Sequence, residues 1–361
     1  MITVSLCMIV KNEEHTLGRC LRSVQGVVDE IVVADTGSSD GTKAVAGKYG
    51  AHVYDFEWID DFSAARNFAF SKATKDYILW LDADDVLRPE DAEKLRSLKQ
   101  TLPADVDAVM MRYNTAFDAA GNVTFSYYRE RMVKRARGLV WHEPVHEYIE
   151  LRGRTLNADI AVTHTKTHYT PTGRNLRIYE KILASGGTLS PRGLYYYARE
   201  LKDNGRFSDA AGAFLRFLDG GRGWVEDNVA ACRELAACYG QLGEREKQFL
   251  ALLRSFYYAS PRAEACCRLG YLCKDADETE QAVFWFRTAA SLPRPQGSWG
   301  FFENDSWGYV PCIELAACLD KLGRTREAEE WNEKAAVFKP EDPSVLYNRR
   351  YFAAKRGADG A

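Results

Sequence analysis

The chain has 361 residues, enough for two domains, and 46% of them are hydrophobic, enough to bury substantial cores without staples. Its 48 basic and 51 acidic side chains leave a net charge of −3, without the basic surplus of a nucleic-acid binder. Nine cysteines, an odd number, leave disulfides, metal ligation and buried thiols to be weighed.

Met1–Val10 is apolar, but Lys11-Asn12-Glu13-Glu14 follows at once, with no basic leader and no small-residue cleavage site, so no signal peptide is predicted. No apolar run approaches the ~18 residues of a spanning helix. A cytoplasmic protein with reduced thiols and no transmembrane segment is expected. Thr3–Val10 is short and almost wholly apolar, as a strand covered on both faces should be. Glu14–Val24 carries Leu17, Cys20, Leu21 and Val24 at helical spacing. Glu30–Ala34 is a second strand, and Ser39-Asp40-Gly41 opens a helix whose free N–H groups these side chains can cap. His52–Phe56, Phe62–Ala73 and Tyr77–Leu81 continue as strand, helix and strand, and Pro89 starts a charged helix, Glu90–Leu102. Such alternation predicts a parallel sheet.

From Asp107 the rhythm changes. Ala108–Phe117 and Val123–Lys134 flank Asp118-Ala119-Ala120-Gly121-Asn122 as a hairpin, and Val140–Glu150 and Ile160–His168 continue as irregular β-structure up to Pro171-Thr172-Gly173. After about Leu176 the pattern is helical and repeats. Ala198, Ala236, Gly270 and Ala316 recur 38, 34 and 46 residues apart, each among leucines and aromatics at matching offsets. Helix–turn–helix units of about 34 residues, with small residues where helices cross, resemble tetratricopeptide repeats. Ser344–Lys355 is a capping helix. The widest gap holds Trp299, Phe301, Phe302, Trp307 and Tyr309, either packing or an acceptor contact, with packing favoured. The same register accounts for most cysteines. Cys232 and Cys238 flank Leu235, Cys312 and Cys318 flank Leu315, and Cys266 precedes Leu269, each by three residues. No paired C-x-x-C units exist, so buried structural thiols are expected rather than zinc, with Cys7 and Cys20 on core faces.

Open parallel sheets bind ligands at the carboxyl ends of their strands. The polar residues gather at those ends: Lys11-Asn12-Glu13, Asp35-Thr36-Gly37-Ser38 and Asp82-Ala83-Asp84-Asp85. One aspartate there could cap the next helix. Three in four residues are costly unless neutralised, and a divalent cation holding a diphosphate would do so. The G-x-G-x-x-G, G-x-x-x-x-G-K-[ST] and G-x-S-x-G signatures are absent, which argues against a dinucleotide oxidoreductase, a P-loop NTPase and a nucleophile-elbow hydrolase.

Met8-Ile9-Val10-Lys11-Asn12-Glu13-Glu14, Asp35-Thr36-Gly37-Ser38-Ser39-Asp40-Gly41-Thr42, Asp61-Phe62-Ser63-Ala64-Ala65-Arg66-Asn67 and Leu81-Asp82-Ala83-Asp84-Asp85 occur in this order. Together they resemble glycosyltransferase family 2, over about residues 1–170. With its repeats the chain is similar to bacterial family 2 enzymes carrying tetratricopeptide repeats, a group that includes sublancin-type S-glycosyltransferases. The resemblance implies an α/β GT-A domain, a Rossmann-like mixed sheet over residues 1–175, followed by an all-α tetratricopeptide-like repeat domain over residues 176–361. It implies inverting transfer from a nucleotide-sugar, commonly a UDP-sugar, with Mn2+ or Mg2+. The acceptor would be a peptide or protein side chain, O- or S-linked, held with help from the repeats.

By position, the resemblance places Val10 and Glu13 at the nucleoside, Asp35 at the base, Arg66 at the nucleotide, Asp82 at the ribose and Asp84 on the metal. Trp141-His142-Glu143-Pro144-Val145-His146-Glu147 supplies two candidates for the base. Related enzymes place a His-Glu pair here after valine or isoleucine, which favours Glu147 over Glu143. A carboxylate near the acceptor can take its proton as the nucleophile attacks, while the metal stabilises the departing diphosphate. His164 or His168 would be a further metal ligand, His164 preferred, and an imidazole suits Mn2+ better than Mg2+. Lys166 and Arg174 would meet the diphosphate or solvent. Three alternatives remain: an acceptor that is a cell-wall or lipid-linked glycan; a nucleotidyltransferase, whose glycine- and arginine-rich first loop is absent; and a non-catalytic repeat scaffold, against which the Asp82/Asp84 pair argues. A homo-oligomer is left open, since repeats self-associate readily.

Overall fold

The computed structural model describes residues 1–117, 121, 123–165, 173–294 and 303–359. The chain divides into two compact units, Met1–Thr188 and Leu189–Ala361. The first runs β1 (Val4–Val10), α1 (Leu17–Ser23), β2 (Glu30–Asp35), α2 (Thr42–Lys48), β3 (His52–Asp55), α3 (Phe62–Lys72), β4 (Tyr77–Trp80), β5 (Asp85–Leu87) and α4 (Pro89–Thr101). It continues with β6 (Val106–Phe117), β7 (Val123–Lys134), β8 (Trp141–His142), β9 (Tyr148–Ile149), β10 (Arg154–His164) and α5 (Arg174–Ala184).

Eight strands form one sheet in the order β3-β2-β1-β4-β7-β6-β10-β5, while β8 and β9 pair separately. β3, β2, β1 and β4 are parallel. β7 runs antiparallel to both β4 and β6, β10 is parallel to β6, and β5 is antiparallel to β10. The sheet is therefore mixed. β1 shows why its sequence is apolar throughout. Side chains alternate faces along a strand, so Leu6, Met8 and Val10 join a core with Leu17 and Leu21 of α1 and Leu95 of α4. Cys7 enters the opposite core, with Ala69 and Phe70 of α3 and Trp141. One strand feeds two cores, and no position can be polar without a partner. Ser5 has one, a hydroxyl that donates to Glu30. Local chemistry sets the helix starts: Pro89 opens α4, and Asp61 accepts the Ala64 N–H of α3 at 2.9 Å.

β5 is the element the sequence pattern misses. It has only three residues, directly after the aspartate cluster, too few to show periodicity. Of the hairpin connection between β6 and β7 only Gly121 lies within the described residues, and His168 and Lys166 lie outside them.

The second unit is all-helical: α6 (Pro191–Asp203), α7 (Phe207–Asp219), α8 (Val225–Gln241), α9 (Arg245–Tyr258), α10 (Ala263–Asp275), α11 (Thr279–Ser291), α12 (Tyr309–Lys321), α13 (Thr325–Phe338) and α14 (Pro343–Asp359). Successive helices from α6 to α13 form four hairpins, one per sequence repeat. Each hairpin turn needs one residue in the left-handed region. Gly205, Gly243 and Gly323 supply it at φ 76°, 74° and 75°, and Asp277 takes the same place in the third hairpin at φ 62°. Gly270 marks a helix crossing: a Cβ there would meet the ring of buried Phe286 at 2.8 Å. All nine cysteines are buried and free, as expected from the repeat register for those in the helices and from the core faces of β1 and α1 for Cys7 and Cys20. Trp307 packs against the core of the third and fourth hairpins, and its indole N–H donates to Glu264 at 2.8 Å. Trp299, Phe301 and Phe302 lie outside the described residues. An α/β unit on a mixed sheet, then helical repeats, is the architecture the sequence predicts. Among the described residues, no helix is long and apolar enough to cross a membrane.

Candidate functional site

The chain order of the parallel strands reverses at β1, between β2 and β4, and a crevice at the carboxyl ends follows from that reversal. Val10 and Asp35 are paired on the last rung of β1 and β2. The Val10 side chain lies in the core, and its carbonyl accepts from the Thr36 N–H at 2.9 Å and the Thr36 hydroxyl at 3.0 Å. The loops beyond the two strands are laced together. Ser39 N–H donates to Asn12 Oδ1 at 2.8 Å, Gly41 N–H to Glu14 Oε2 at 2.7 Å and Glu13 N–H to Thr42 Oγ1 at 2.7 Å. The Glu13 carboxylate accepts the Thr16 hydroxyl at the start of α1.

Asp35 is fully buried. Its Oδ1 accepts from the N–H groups of Gly37 at 3.0 Å and Ser38 at 2.8 Å, in a turn that Gly37 closes at φ 97°. Its Oδ2 has no hydrogen-bond partner among the described residues. A buried carboxylate oxygen without a donor is costly, and a ligand N–H would supply one.

Arg66, from α3, gathers two acidic residues. Its Nη2 donates to Asp82 Oδ1 at 2.8 Å and its Nε to Glu147 Oε1 at 2.6 Å, with the Arg66 side chain 8% and that of Glu147 13% exposed. The guanidinium carbon lies 5.0 Å from the Trp80 ring centre and 4.9 Å from that of Trp141. Burial works against the Arg66 cation, but Asp82 and Glu147 outweigh it and hold its pKa above the ordinary value. Burial likewise works against ionised Asp82, yet Arg66 and Arg131 push its pKa down to about 2.

Asp84, Asp85 and His164 form the third part of the site. One ligand atom from each lies within 4.8 Å of the others. The antiparallel register of β5 on β10 sets His164 opposite Asp85. His164 Nδ1 is 3.5 Å from Asp84 and 3.4 Å from Asp85. The Thr165 N–H and hydroxyl both donate to the Asp84 carbonyl, at 2.8 and 2.7 Å. Asp85 is fully buried and engaged on both oxygens. The Tyr113 hydroxyl donates to Oδ1 at 2.9 Å, while Oδ2 accepts the Asp82 N–H at 3.1 Å and pairs with fully buried Arg131 at 3.0 Å. Burial raises the pKa of Asp84, reinforced by Asp82 and Asp85 and opposed by His164. His164 is raised chiefly by its hydrogen bond to Asp85, against burial. Two carboxylates and an imidazole this close fit a divalent cation, whose charge would relieve the repulsion.

Trp141 and His142 pair with Ile149 and Tyr148, leaving Glu143–Glu147 as the connecting loop. Glu143 and His146 stand in left-handed backbone, at φ 73° and 55°. The loop is fastened by the Phe62 N–H to the Pro144 carbonyl at 2.9 Å and by the Tyr179 hydroxyl to the Val145 carbonyl at 3.3 Å. Of the two candidate glutamates, Glu147 is the one that Arg66 brings to Asp82.

Residues 5–168 match the family model described as Glycosyl transferase family 2. This segment is similar to glycosyltransferase family 2 domains. The chain also has relatives of known sequence. A TPR repeat-containing protein of Synechococcus elongatus is 43% identical over 150 residues, 42% of this chain and 36% of the relative. The SPbeta prophage-derived glycosyltransferase SunS of Bacillus subtilis is 28% identical over 213 residues, 55% of this chain and 49% of the relative. The chain thus spans between a third and a half of the length of these relatives. Among solved structures, a glucosyl-3-phosphoglycerate synthase of Mycobacterium tuberculosis aligns at TM-score 0.36 and 13% identity, over 53% of this chain and 82% of its own. At that score the likeness says nothing of function.

Sequence reasoning missed Tyr113, Arg129, Arg131 and the two tryptophans. Arg131 lies 3.9 Å and Arg129 4.9 Å from the Trp80 ring centre. The one visible signal was Arg129-Glu130-Arg131, a charged run within an otherwise strand-like stretch, where a buried charge needs a partner.

Proposed function

We propose that this chain is an inverting, divalent-cation-dependent glycosyltransferase that moves a sugar from a nucleotide-sugar, a UDP-sugar, to a peptide or protein side chain. The observation that carries the reading is the convergence at the sheet's carboxyl edge. The Asp84–Asp85–His164 donor set, the Arg66-bridged Asp82–Glu147 pair and the Asp35 oxygen without a partner among the described residues all belong to that edge. Asp35 Oδ2 accepts the N–H of the nucleobase, with Val10 and Glu13 bordering the nucleoside and Asp82 facing the ribose. Asp84 and His164 would hold Mn2+ or Mg2+, and Asp85, engaged on both oxygens, would support them. The cation, when bound, offsets the charge of the departing diphosphate. Glu147 accepts the acceptor's proton as the nucleophile attacks the anomeric carbon from the side opposite the diphosphate, which inverts its configuration. The similarity to a named glycosyltransferase, SunS, supports this reading. The helical repeats hold the acceptor, and a reducing compartment such as the cytoplasm suits nine buried free thiols.

A thermal melt with UDP or GDP, each with and without Mn2+, tests donor binding. A ligand at 100 times its Kd stabilises by about 2.7 kcal/mol. Intact-mass analysis of candidate peptides incubated with nucleotide-sugars and Mn2+ tests transfer. Glu147→Gln should keep the nucleotide-induced stabilisation and lose about 10²–10⁴-fold in transfer rate. If Glu143→Gln behaves so instead, Glu143 is the base. No stabilisation by any nucleotide with cation would reject the reading.

A further inference from the structure

The segment Asp61–Asn67 is tied to β8 and to two points of the loop that follows it. The Phe62 N–H, in the first turn of α3, donates to the Pro144 carbonyl at 2.9 Å. The Asn67 side-chain amide grips the Trp141 backbone twice, donating from Nδ2 to its carbonyl at 3.0 Å and accepting its N–H at Oδ1 at 2.8 Å. Arg66 Nε donates to Glu147 at 2.6 Å. These contacts fall on residues 141, 144 and 147. On the helix, Phe62 and Arg66 are one turn apart and share a face, with Asn67 adjacent.

The loop has reason to be held. Glu143 and His146 both adopt left-handed backbone, a conformation that costs a non-glycine residue energy and persists only where its surroundings dictate it. The anchors are themselves rigid. Asp61 caps α3 through the Ala64 N–H at 2.9 Å. Arg66 is packed on the indoles of Trp80 and Trp141, whose own centres lie 4.9 Å apart. The guanidinium spends Nε on Glu147 and Nη2 on Asp82, so one planar fork sets the spacing between the two carboxylates.

We infer that Asp61–Asn67 is the positioning element for Glu147. Arg66, with Asn67, sets the acceptor-side carboxylate beside Asp82. The inference rests on the reading of Glu147 as the base. Displacing a reacting group by 1 Å costs about 10²-fold in rate, so a loop held at these points matters to turnover and not to donor affinity.

The test uses the full chain with Arg66→Lys and Asn67→Ala. Arg66→Lys keeps the charge and loses the fork. Asn67→Ala leaves every charge in place and serves if Arg66→Lys does not fold. Amide hydrogen exchange is followed in peptides covering residues 141–149, UDP affinity is measured by calorimetry with Mn2+, and donor turnover is resolved into kcat and KM. In both variants, exchange in the loop should rise by about tenfold or more. UDP affinity and donor KM should stay within about threefold while kcat falls by about 10²-fold. Unchanged loop exchange with UDP affinity weakened about tenfold in Arg66→Lys would make Arg66 a nucleotide contact and overturn the inference. If the unsubstituted chain neither binds UDP nor turns over a nucleotide-sugar, the proposed function fails, and loop exchange alone then decides the positioning role.

Discussion

Arg131→Met isolates the charge buried against the Asp84–Asp85–His164 cluster. Arg131 and Asp85 are both fully buried and 3.0 Å apart. Methionine keeps much of the side chain's bulk against Trp80 and Tyr113, which lie 3.9 and 4.3 Å from the guanidinium carbon. What it removes is the countercharge. Asp85 would retain the Tyr113 hydroxyl at 2.9 Å, the Asp82 N–H at 3.1 Å and His164 Nδ1 at 3.4 Å, but no arginine, for a carboxylate with no access to water. Removing one partner of a buried pair costs about 3–5 kcal/mol. In a unit the size of Met1–Thr188, each kcal/mol lowers Tm by about 2–4 °C, so a fall of about 6–20 °C is expected. The pair is not ideally satisfied even in the unsubstituted chain, since Arg131 Nε and Nη2 have no hydrogen-bond partners among the described residues. Removing both charges should therefore cost less than the sum of the single losses. Scanning calorimetry on Arg131→Met, Asp85→Asn and the double variant closes the cycle. A loss below about 1 kcal/mol in Arg131→Met, or single effects that add to within about 0.5 kcal/mol, would refute the reasoning.

In the repeat unit, Gly270→Ala should destabilise by about 1–3 kcal/mol, because its Cβ would meet the buried Phe286 ring at 2.8 Å. An unchanged denaturant midpoint for the helical transition would show that the crossing has slack. Burial pushes the thiol of Cys232 up to about 12 and those of Cys238 and Cys266 up to about 11. Together with the burial of the rest, this predicts that none of the nine cysteines reacts with a disulfide reagent at about pH 8 until the protein unfolds; a rapid native-state thiol would contradict it. Asp82 titrates at about 2 in the fold but at about 3.9 when unfolded. On lowering the pH the unfolded chain takes up this proton first, so the stability Asp82 contributes is complete above about pH 4 and lost towards about pH 2. Asp82→Asn should flatten the stability–pH curve in that window, and an unaltered slope would place the acid sensitivity elsewhere.

The order of strands and helices was legible wherever an element was long enough to show its period. β1 shows it through an unbroken apolar run, and the repeat helices through small residues recurring at matching offsets. β5, three residues long, was not legible, and it carries a consequence. Its register on β10 sets His164 opposite Asp85, two residues nearly eighty positions apart in the chain. The motif Asp61–Asn67 was visible as a string, but its contacts to residues 141–147 were not, since nothing local in either segment encodes the other.

The sequence by itself determined the elements, the repeat unit and the edge of the sheet where polar residues collect, because periodicity and strand-end chemistry are properties of neighbours in the chain. Only the tertiary structure decided which acidic group has which partner. Asp85 is paired with Arg131 and Tyr113, Asp82 and Glu147 share Arg66, Asp84 faces His164, and one oxygen of Asp35 has no partner among the described residues. The reason is electrostatic. The state of a carboxylate depends on burial and on charges a few ångströms away, and at this site those charges arrive on β7, α3 and β10, which strand register and helix packing bring together.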